Sequence, residues 1–205
     1  MTGDEHWGEK NGATDNGSRN ASAVKGGKPV VEERWTRSLR YHVDPMPTYH
    51  MRRAEREIVE RSEIDAVLCS QRYMALAMCR DGEPYVVTLN YGYTAQENAL
   101  YFHCAHNGLK LDILRETPHV CATVVEDLGY REGECSHAYR SVVVRGRMRV
   151  VTDRDGKAHG LRVLLAHQEK DPGSVERRQL PDDTAYDRAT VLRLDIAEIT
   201  GKRSD

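Results

Sequence analysis

Residues 101–110 hold the side chains best suited to chemistry, with two histidines, a cysteine and a lysine in one short segment. The segment predicts a strand followed by a turn that opens a helix, with Asn107 as the N-cap. Lys110 then lies in the first helical turn, where unpaired backbone N–H groups and the helix dipole favour a bound anion. The positive charge of a lysine is unfavourable at this positive end of the helix dipole unless a bound anion neutralises it. The segment therefore indicates a phosphate site, and the alternative is an exposed lysine on a helix surface.

His103 is the candidate acid–base group of this segment. Histidine titrates near neutral pH and is suited to giving a proton to a substrate as that substrate is reduced. The alternative interpretation is a hydrogen-bonded, partly buried histidine on a strand.

Metal binding is a further interpretation of the same residues, because histidine and cysteine are zinc ligands. The side chains concerned are His103, Cys104, His106, His119, Cys121, Cys135 and His137. However, His103 and Cys104 are neighbours in a strand and should point to opposite faces. No CxxC pair anchors the set either, so we predict no metal site.

Six segments with the alternation of a strand must position these side chains. They are residues 73–79, 85–93, 99–105, 120–125, 139–151 and 190–196. Asp81-Gly82 is a strong hairpin signal between the first two. Mostly hairpin-linked strands predict an antiparallel barrel rather than a βαβ sheet. The expected fold is therefore mainly β (α+β), with six antiparallel strands and a few flanking helices.

Three helices are expected between the strands. Ser62 and Asp65 resemble a capping box that opens a helix ending near Ser70. The helix after Asn107 should end before Pro118. Asp153 or Asp155 is expected to cap a third helix, which carries leucines at helical spacing.

Two strands carry side chains whose faces can be assigned. In residues 85–93, Val87, Leu89, Tyr91 and Tyr93 share one face, and the two tyrosines are candidates for a dimer interface. On residues 139–151 the outer face carries Arg145, Arg147 and Arg149. These arginines are most simply a solvated face that pairs with acids across the sheet.

Composition excludes several classes of function. The net charge is −2, from 30 basic and 32 acidic residues that are interspersed, so no electrostatic footprint for nucleic acid or an anionic membrane exists. No apolar run approaches a membrane span, and the N-terminus has no secretory signal. Five singly placed cysteines favour reduced thiols, and we expect a cytoplasmic protein. Residues 1–45 predict a disordered tail, and residues 46–205 the folded domain.

Several motifs, taken in order, resemble one known family. They are Met51-Arg52-Arg53, the run from Pro84 to Tyr93, Tyr101-Phe102-His103-Cys104-Ala105 with Gly108 and Lys110, the run Tyr139-Arg140-Ser141-Val142, and Ile199-Thr200-Gly201-Lys202. Together they are similar to the nitroimidazole-resistance (Nim-like) flavoproteins of the pyridoxamine 5'-phosphate oxidase-like split-barrel superfamily. The similarity covers about residues 50–202.

The resemblance implies an FMN-binding split barrel that works as a homodimer with FMN at the subunit interface. It assigns the phosphate to Lys110 and the isoalloxazine to the segment from Val87 to Asn90, and it places His103 near the flavin or substrate. The implied cofactor-binding residues are Val87, Thr88, Leu89, Asn90, His103, Cys104, Asn107, Gly108, Lys110, Arg140 and Ser141. Many relatives have serine where this chain has Cys104, and a thiol is a weaker donor than a hydroxyl.

The function implied by the resemblance is that of an FMN-dependent oxidoreductase acting on a small molecule. A nicotinamide nucleotide or another reductant would supply electrons to a nitro-aromatic or quinone-like acceptor, and His103 would be the catalytic residue. Two alternatives stay open, namely a non-catalytic flavin-binding module and a haem-binding split-barrel protein.

Overall fold

The structure, a computed structural model, describes residues 51–204. The tail predicted over residues 1–45, and its boundary with the folded domain, lie outside the described residues. Within residues 51–204, no helix is long and apolar enough to cross a membrane.

The described chain contains eight strands and five α-helices. The strands are β1 (Glu57–Ile58), β2 (Tyr73–Arg80), β3 (Glu83–Asn90), β4 (Gly92–Thr94), β5 (Ala99–Cys104), β6 (His119–Arg131), β7 (Ser136–Val151) and β8 (Thr190–Ser204). The helices are α1 (Arg61–Ser70), α2 (Leu109–Glu116), α3 (Arg154–Gln168), α4 (Pro172–Gln179) and α5 (Asp183–Asp187). A 3-10 turn at Ala54–Arg56 precedes β1.

The strands form one antiparallel sheet in the order β3-β2-β6-β7-β8-β5-β4, with β1 paired to β8. β3 and β4 stand at opposite ends of this order, yet only Tyr91 separates them in the chain. The sheet must therefore curl until its two ends meet at Tyr91, which makes it a split barrel. The predicted α+β barrel is confirmed.

Six of the eight strands are the six predicted from alternation, and two short ones are additional. β4 comes from the predicted strand over residues 85–93, which divides because β3 pairs with β2 while β4 pairs with β5. A change of partner at the barrel corner leaves no mark in the alternation of side chains. β1 has only two residues, too few to show a period.

The main hydrophobic core fills the inside of the sheet, and a second one lies between the outer face of β5 and β8 and helix α3. Tyr91 and Tyr93 belong to the main core and are 0% and 8% exposed. The Tyr91 hydroxyl donates to the Leu68 carbonyl at 2.6 Å, and the Tyr93 hydroxyl donates to Asp65 at 2.6 Å. The prediction that these tyrosines supply a dimer interface is therefore wrong, because both are used within the protomer.

The helix ends agree with the sequence only in part. Asp153 caps α3, accepting a hydrogen bond from the Gly156 backbone N–H at 2.7 Å. The N-cap of α1 is Glu60, so the expected capping box at Ser62 is wrong, and the helix begins two residues earlier. The N-cap of α2 is Gly108 and not Asn107.

Two of the three outward arginines predicted on β7 pair with acids on β8, whereas no ion pair is found for Arg147 within residues 51–204. Arg145 lies 3.8 Å from Glu198, and Arg149 lies 3.1 Å from Asp195. These ion pairs follow from the antiparallel register, which places Arg145 opposite Glu198.

Candidate functional site

The end of β5 separates two neighbouring side chains into different environments. Phe102 and Cys104 point into the main core, whereas His103 lies on the outer face of the sheet. The chain then turns through the exposed residues Ala105 to Gly108 into helix α2. The His106 ring fixes this turn through a 2.6 Å hydrogen bond between its Nδ1 and the Thr190 hydroxyl.

The first turn of α2 fits a phosphate group. Gly108 has φ +136°, and a Cβ there would meet open space, so the backbone is accessible from outside. No side chain caps this end, which leaves N–H groups of the first turn available. Lys110 lies in the same turn, and within residues 51–204 it has no ion-pair partner. Both observations suit a dianion.

His103 is exposed, and its charged form is disfavoured. Desolvation by the surrounding protein lowers the pKa of His103, and the nearby charges of His106 and Lys110 lower it further. The imidazole is therefore mainly neutral at pH 7. It serves as a hydrogen-bonding group at that pH and becomes a cation only in more acidic solution.

A cavity of about 370 Å³ opens beside His103. Helices α3, α4 and α5 and the residues that directly follow α4 and α5 supply the rest of its wall: Leu161, Leu164, Leu165, Gln179, Leu180, Ala185, Arg188 and Ala189. The wall is mostly apolar, with His103, Gln179 and Arg188 as its polar groups. This volume lies in the range of about 300–1,000 Å³ typical of small-molecule sites.

The sequence predicted none of these eight wall residues as part of the site. The spacing of Leu161, Leu164 and Leu165 indicates an amphipathic helix. It does not reveal that α3 packs beside His103 and leaves a space between them.

Cys104 is 8% exposed, and its thiol faces the main core. Burial raises the pKa of the Cys104 thiol, and the charge of Lys110 opposes that shift. The thiol is therefore protonated at neutral pH and directed away from solvent. A side-chain contact between Cys104 and a bound phosphate is contradicted, so only its backbone is available.

The predicted flavin-facing strand is β3, where the side chains alternate. Val87 and Leu89 pack against the main core, whereas Thr88 and Asn90 are exposed. The Asn90 amide donates to the Gln168 side chain at 3.2 Å, which ties the end of β3 to the end of α3. A ligand on the outer face can therefore meet the side chains of Thr88 and Asn90, but only the backbone of Val87 and Leu89.

Arg140 and Ser141 lie apart from the other predicted site residues. Ser141 pairs in register with Lys202, near the end of β8, whereas His103 pairs with Val191 near its start. At about 3.3 Å per residue, about 35 Å of chain separates Val191 from Lys202 along β8. Ser141 lines a different cavity, and Arg140 bonds to Glu126. One protomer does not bring these residues to His103.

A metal site would require several ligating side chains to lie close together, and the described residues do not provide such a group. Across residues 51–204, no group of three or more His, Cys, Asp or Glu side chains is placed to hold a metal ion.

Comparison with known proteins places this geometry in a family. The model of the family described as pyridoxamine 5'-phosphate oxidase matches residues 60–203. A curated relative, an uncharacterized protein of Rhizobium meliloti (strain 1021), is 30% identical over 102 residues. That alignment spans 50% of this chain and 62% of the relative.

Solved structures share the fold. A candidate 5-nitroimidazole antibiotic resistance protein of Bacteroides thetaiotaomicron is 27% identical with a TM-score of 0.60, covering 72% of this chain and 86% of that one. An FAD-binding protein of Mesorhizobium loti is 26% identical with a TM-score of 0.53, covering 73% and 98%. The flavocytochrome Anf3 of Azotobacter vinelandii, at 22% identity and a TM-score of 0.64 over 77% and 73%, is similar in fold.

Proposed function

Because this chain belongs to the pyridoxamine 5'-phosphate oxidase family, we propose that it is an FMN-binding oxidoreductase that reduces a small organic acceptor. The observation that carries this proposal is the apolar cavity beside His103, next to a helix start suited to phosphate. The 26% identical FAD-binding protein supports a flavin in general. The unpaired Lys110, which suits a terminal monophosphate, favours FMN among the flavins.

The protein's own residues bind and orient the reactants. A bound flavin would supply the electron transfer, and the chain supplies position and electrostatics. Lys110 and the N–H groups of α2 hold the phosphate, while the backbone of β3 and the Thr88 and Asn90 side chains border the ring. The cavity takes the acceptor, for which a flat nitro-aromatic or quinone-like molecule suits the leucine-rich wall.

His103 borders both regions and is the proposed catalytic residue. Its neutral imidazole donates a hydrogen bond to an acceptor oxygen, and the protonated ring supplies a proton at lower pH. Arg188 at the cavity wall adds a cation that favours acceptors with a negatively charged or strongly polar oxygen.

We further propose a homodimer with the flavin at the subunit interface. The separation of Ser141 from His103 along β8 supports this proposal, because a second subunit is the simplest way to bring Arg140 and Ser141 to the flavin.

Flavin binding by the purified protein tests the proposal. We expect FMN to bind more tightly than riboflavin. Lys110→Ala should weaken FMN binding by about 1.5–3 kcal/mol, the value of a charge-assisted hydrogen bond, without weakening riboflavin binding. Lys170→Ala, which removes an exposed lysine beyond the end of α3, is the matched control. Equal affinity for FMN and riboflavin in the wild type would rule out a phosphate site at α2.

Absorption and turnover distinguish the alternatives. A Soret band instead of flavin absorption would identify a haem protein. Stable FMN binding without reduction of any nitro-aromatic or quinone, using NADH, NADPH or dithionite as reductant, would identify a flavin-binding module that is not an enzyme.

A further inference from the structure

A second cavity, distant from His103, lies on the outer face of β7 and β8. It has a volume of about 190 Å³ and is lined by Met51, Arg52, Arg53, Ser141, Val143, Thr200 and Lys202. Three of these side chains are cations and two carry hydroxyl groups. The volume is smaller than the about 300 Å³ at which sites begin to enclose a whole organic molecule. It suits a single charged group.

The fold brings the three cations together from the two ends of the described chain. Lys202 lies on β8, and β1 pairs with that part of β8 through Glu57–Lys202 and Ile58–Gly201. The Ile58 side chain is 3% exposed and packs in the main core, which anchors β1. The segment with Arg52 and Arg53 directly precedes β1 and is therefore held over the sheet.

These cations differ from most arginines of the sheet, which are paired with acids. Arg145 pairs with Glu198, Arg149 with Asp195, and Arg193 with Glu97. By contrast, no carboxylate within residues 51–204 forms an ion pair with Arg52, Arg53 or Lys202. Even Glu57, the register partner of Lys202, forms none. Three like charges around one small cavity repel each other unless an anion joins them.

We propose that Arg52, Arg53 and Lys202, with the hydroxyls of Ser141 and Thr200, bind the phosphate group of a phosphorylated small molecule. Arginine offers paired N–H donors and lysine a compact charge, and both are suited to phosphate oxygens. The Thr200 hydroxyl donates a further hydrogen bond, and the Ser141 hydroxyl exchanges its long 3.5 Å contact with the Lys202 carbonyl for one with the phosphate. The site is separate from the one at Lys110, since Lys202 and His103 belong to different ends of β8.

Two sources of this phosphate share the same chemistry. One is the phosphate of an FMN bound at Lys110 of a second subunit, which this site would contact across the proposed dimer interface, and the other is that of a phosphorylated nicotinamide reductant. The choice between them rests on the proposed flavin function, whereas the anion site itself does not.

Titration of the flavin-free, full-length protein with inorganic pyrophosphate tests the site directly. At low salt we expect saturable binding, measured by calorimetry. For this titration alone, the wild type and every variant also carry Lys110→Ala, which removes the other proposed phosphate site. The double variant that combines Arg53→Gln and Lys202→Gln should bind pyrophosphate at least tenfold more weakly. Arg56→Gln is the matched control, because it removes the same charge from the same segment without lining the cavity, and it should change affinity less than twofold. Equal affinity in the double variant and the wild type would overturn the proposal.

The same variants then identify the source. A flavin source predicts that the double variant loses FMN affinity at least tenfold while riboflavin affinity is unchanged. A reductant source predicts unchanged FMN affinity and a KM for NADPH raised at least tenfold. If neither changes, the proposal of a functional phosphate site is wrong. If no flavin binds but pyrophosphate binding depends on Arg53 and Lys202, the anion site stands and the proposed flavin function fails.

Discussion

At the scale of single residues, β5 shows how one strand supplies two unlike environments. The period of two directs Cys104 into the main core and His103 to the outer face beside the cavity. The chemistry proposed for this segment thus depends on His103 and Lys110. Cys104 contributes packing and a buried, protonated thiol.

Substitution of His103 is expected to affect turnover more than flavin affinity. His103 lies on the cavity wall, whereas the phosphate site is at α2. His103→Ala should therefore leave the FMN affinity within about 1 kcal/mol and lower kcat/KM at least about tenfold, which corresponds to 1.4 kcal/mol of transition-state stabilisation. Steady-state kinetics and FMN titration measure the two effects. If only thermal stability falls in His103→Ala and His103→Gln, His103 is structural.

The pH dependence of turnover tests whether His103 donates a proton. Desolvation, His106 and Lys110 lower the pKa of His103, so its protonated fraction is small at pH 7 and grows as the pH falls. Proton donation by His103 should make kcat rise toward acidic pH in the wild type. His103→Gln retains a hydrogen-bond donor but does not titrate, so its profile should lack this rise.

At the scale of elements, helix α3 determines the cavity through its contact with β4. A Cβ atom at Gly92 would lie 2.6 Å from the Cα of Leu164, so the glycine allows the helix backbone to approach the strand. Leu164 itself lines the cavity. The position of α3, and with it the cavity wall, therefore depends on the absence of a side chain at residue 92.

Gly92→Ala should destabilise the protein, since the clash involves helix backbone and not a flexible side chain. We expect a loss of about 1–3 kcal/mol in the free energy of unfolding, measured by urea denaturation. Gly173→Ala in α4 is the control, because the nearest atom there, 3.4 Å away, belongs to the flexible side chain of Arg177. That variant should be unchanged, or more stable by up to about 1 kcal/mol through helix propensity. Wild-type stability in Gly92→Ala would show that α3 is free to shift.

At the scale of the whole molecule, the outer face of the sheet carries a row of uncharged residues that crosses five strands. The register aligns Thr88, Ala75, Thr123, Val143 and Thr200. Val86, at one edge of the same face, is 60% exposed. An uncharged, partly apolar sheet face of this kind is typical of an interface between two copies, and it supports the proposed homodimer.

Ala75→Arg should convert a dimer to a monomer. In a two-fold interface one substitution introduces two cations into the uncharged row, and their burial costs several kcal/mol. Light scattering should give about twice the chain mass of 23.3 kDa for the wild type with saturating FMN, and the chain mass for the variant. Ser62→Arg, at an exposed position of α1, should remain dimeric. A monomeric wild type under these conditions would contradict the proposal.

The sequence by itself determined the features that depend on residues close together in the chain. Alternation identified the six long strands, the Asp81-Gly82 turn marked the β2–β3 hairpin, and Asp153 was one of two predicted caps for α3. Acids across the sheet from the β7 arginines were also predictable, because strand faces follow from the period of two. Motif order was sufficient to indicate the family.

Only the tertiary structure decided which distant residues meet. The change of strand partner at Tyr91 buries Tyr91 and Tyr93 in their own protomer, and Gly108 rather than Asn107 caps α2. The leucines of α3 line the same cavity as His103, whereas Ser141 and Lys202 join Arg52 and Arg53 at the other end of β8. These outcomes depend on how the sheet curls and where helices dock. Such packing is set by contacts between residues far apart in the chain, and alternation along one strand carries no information about it.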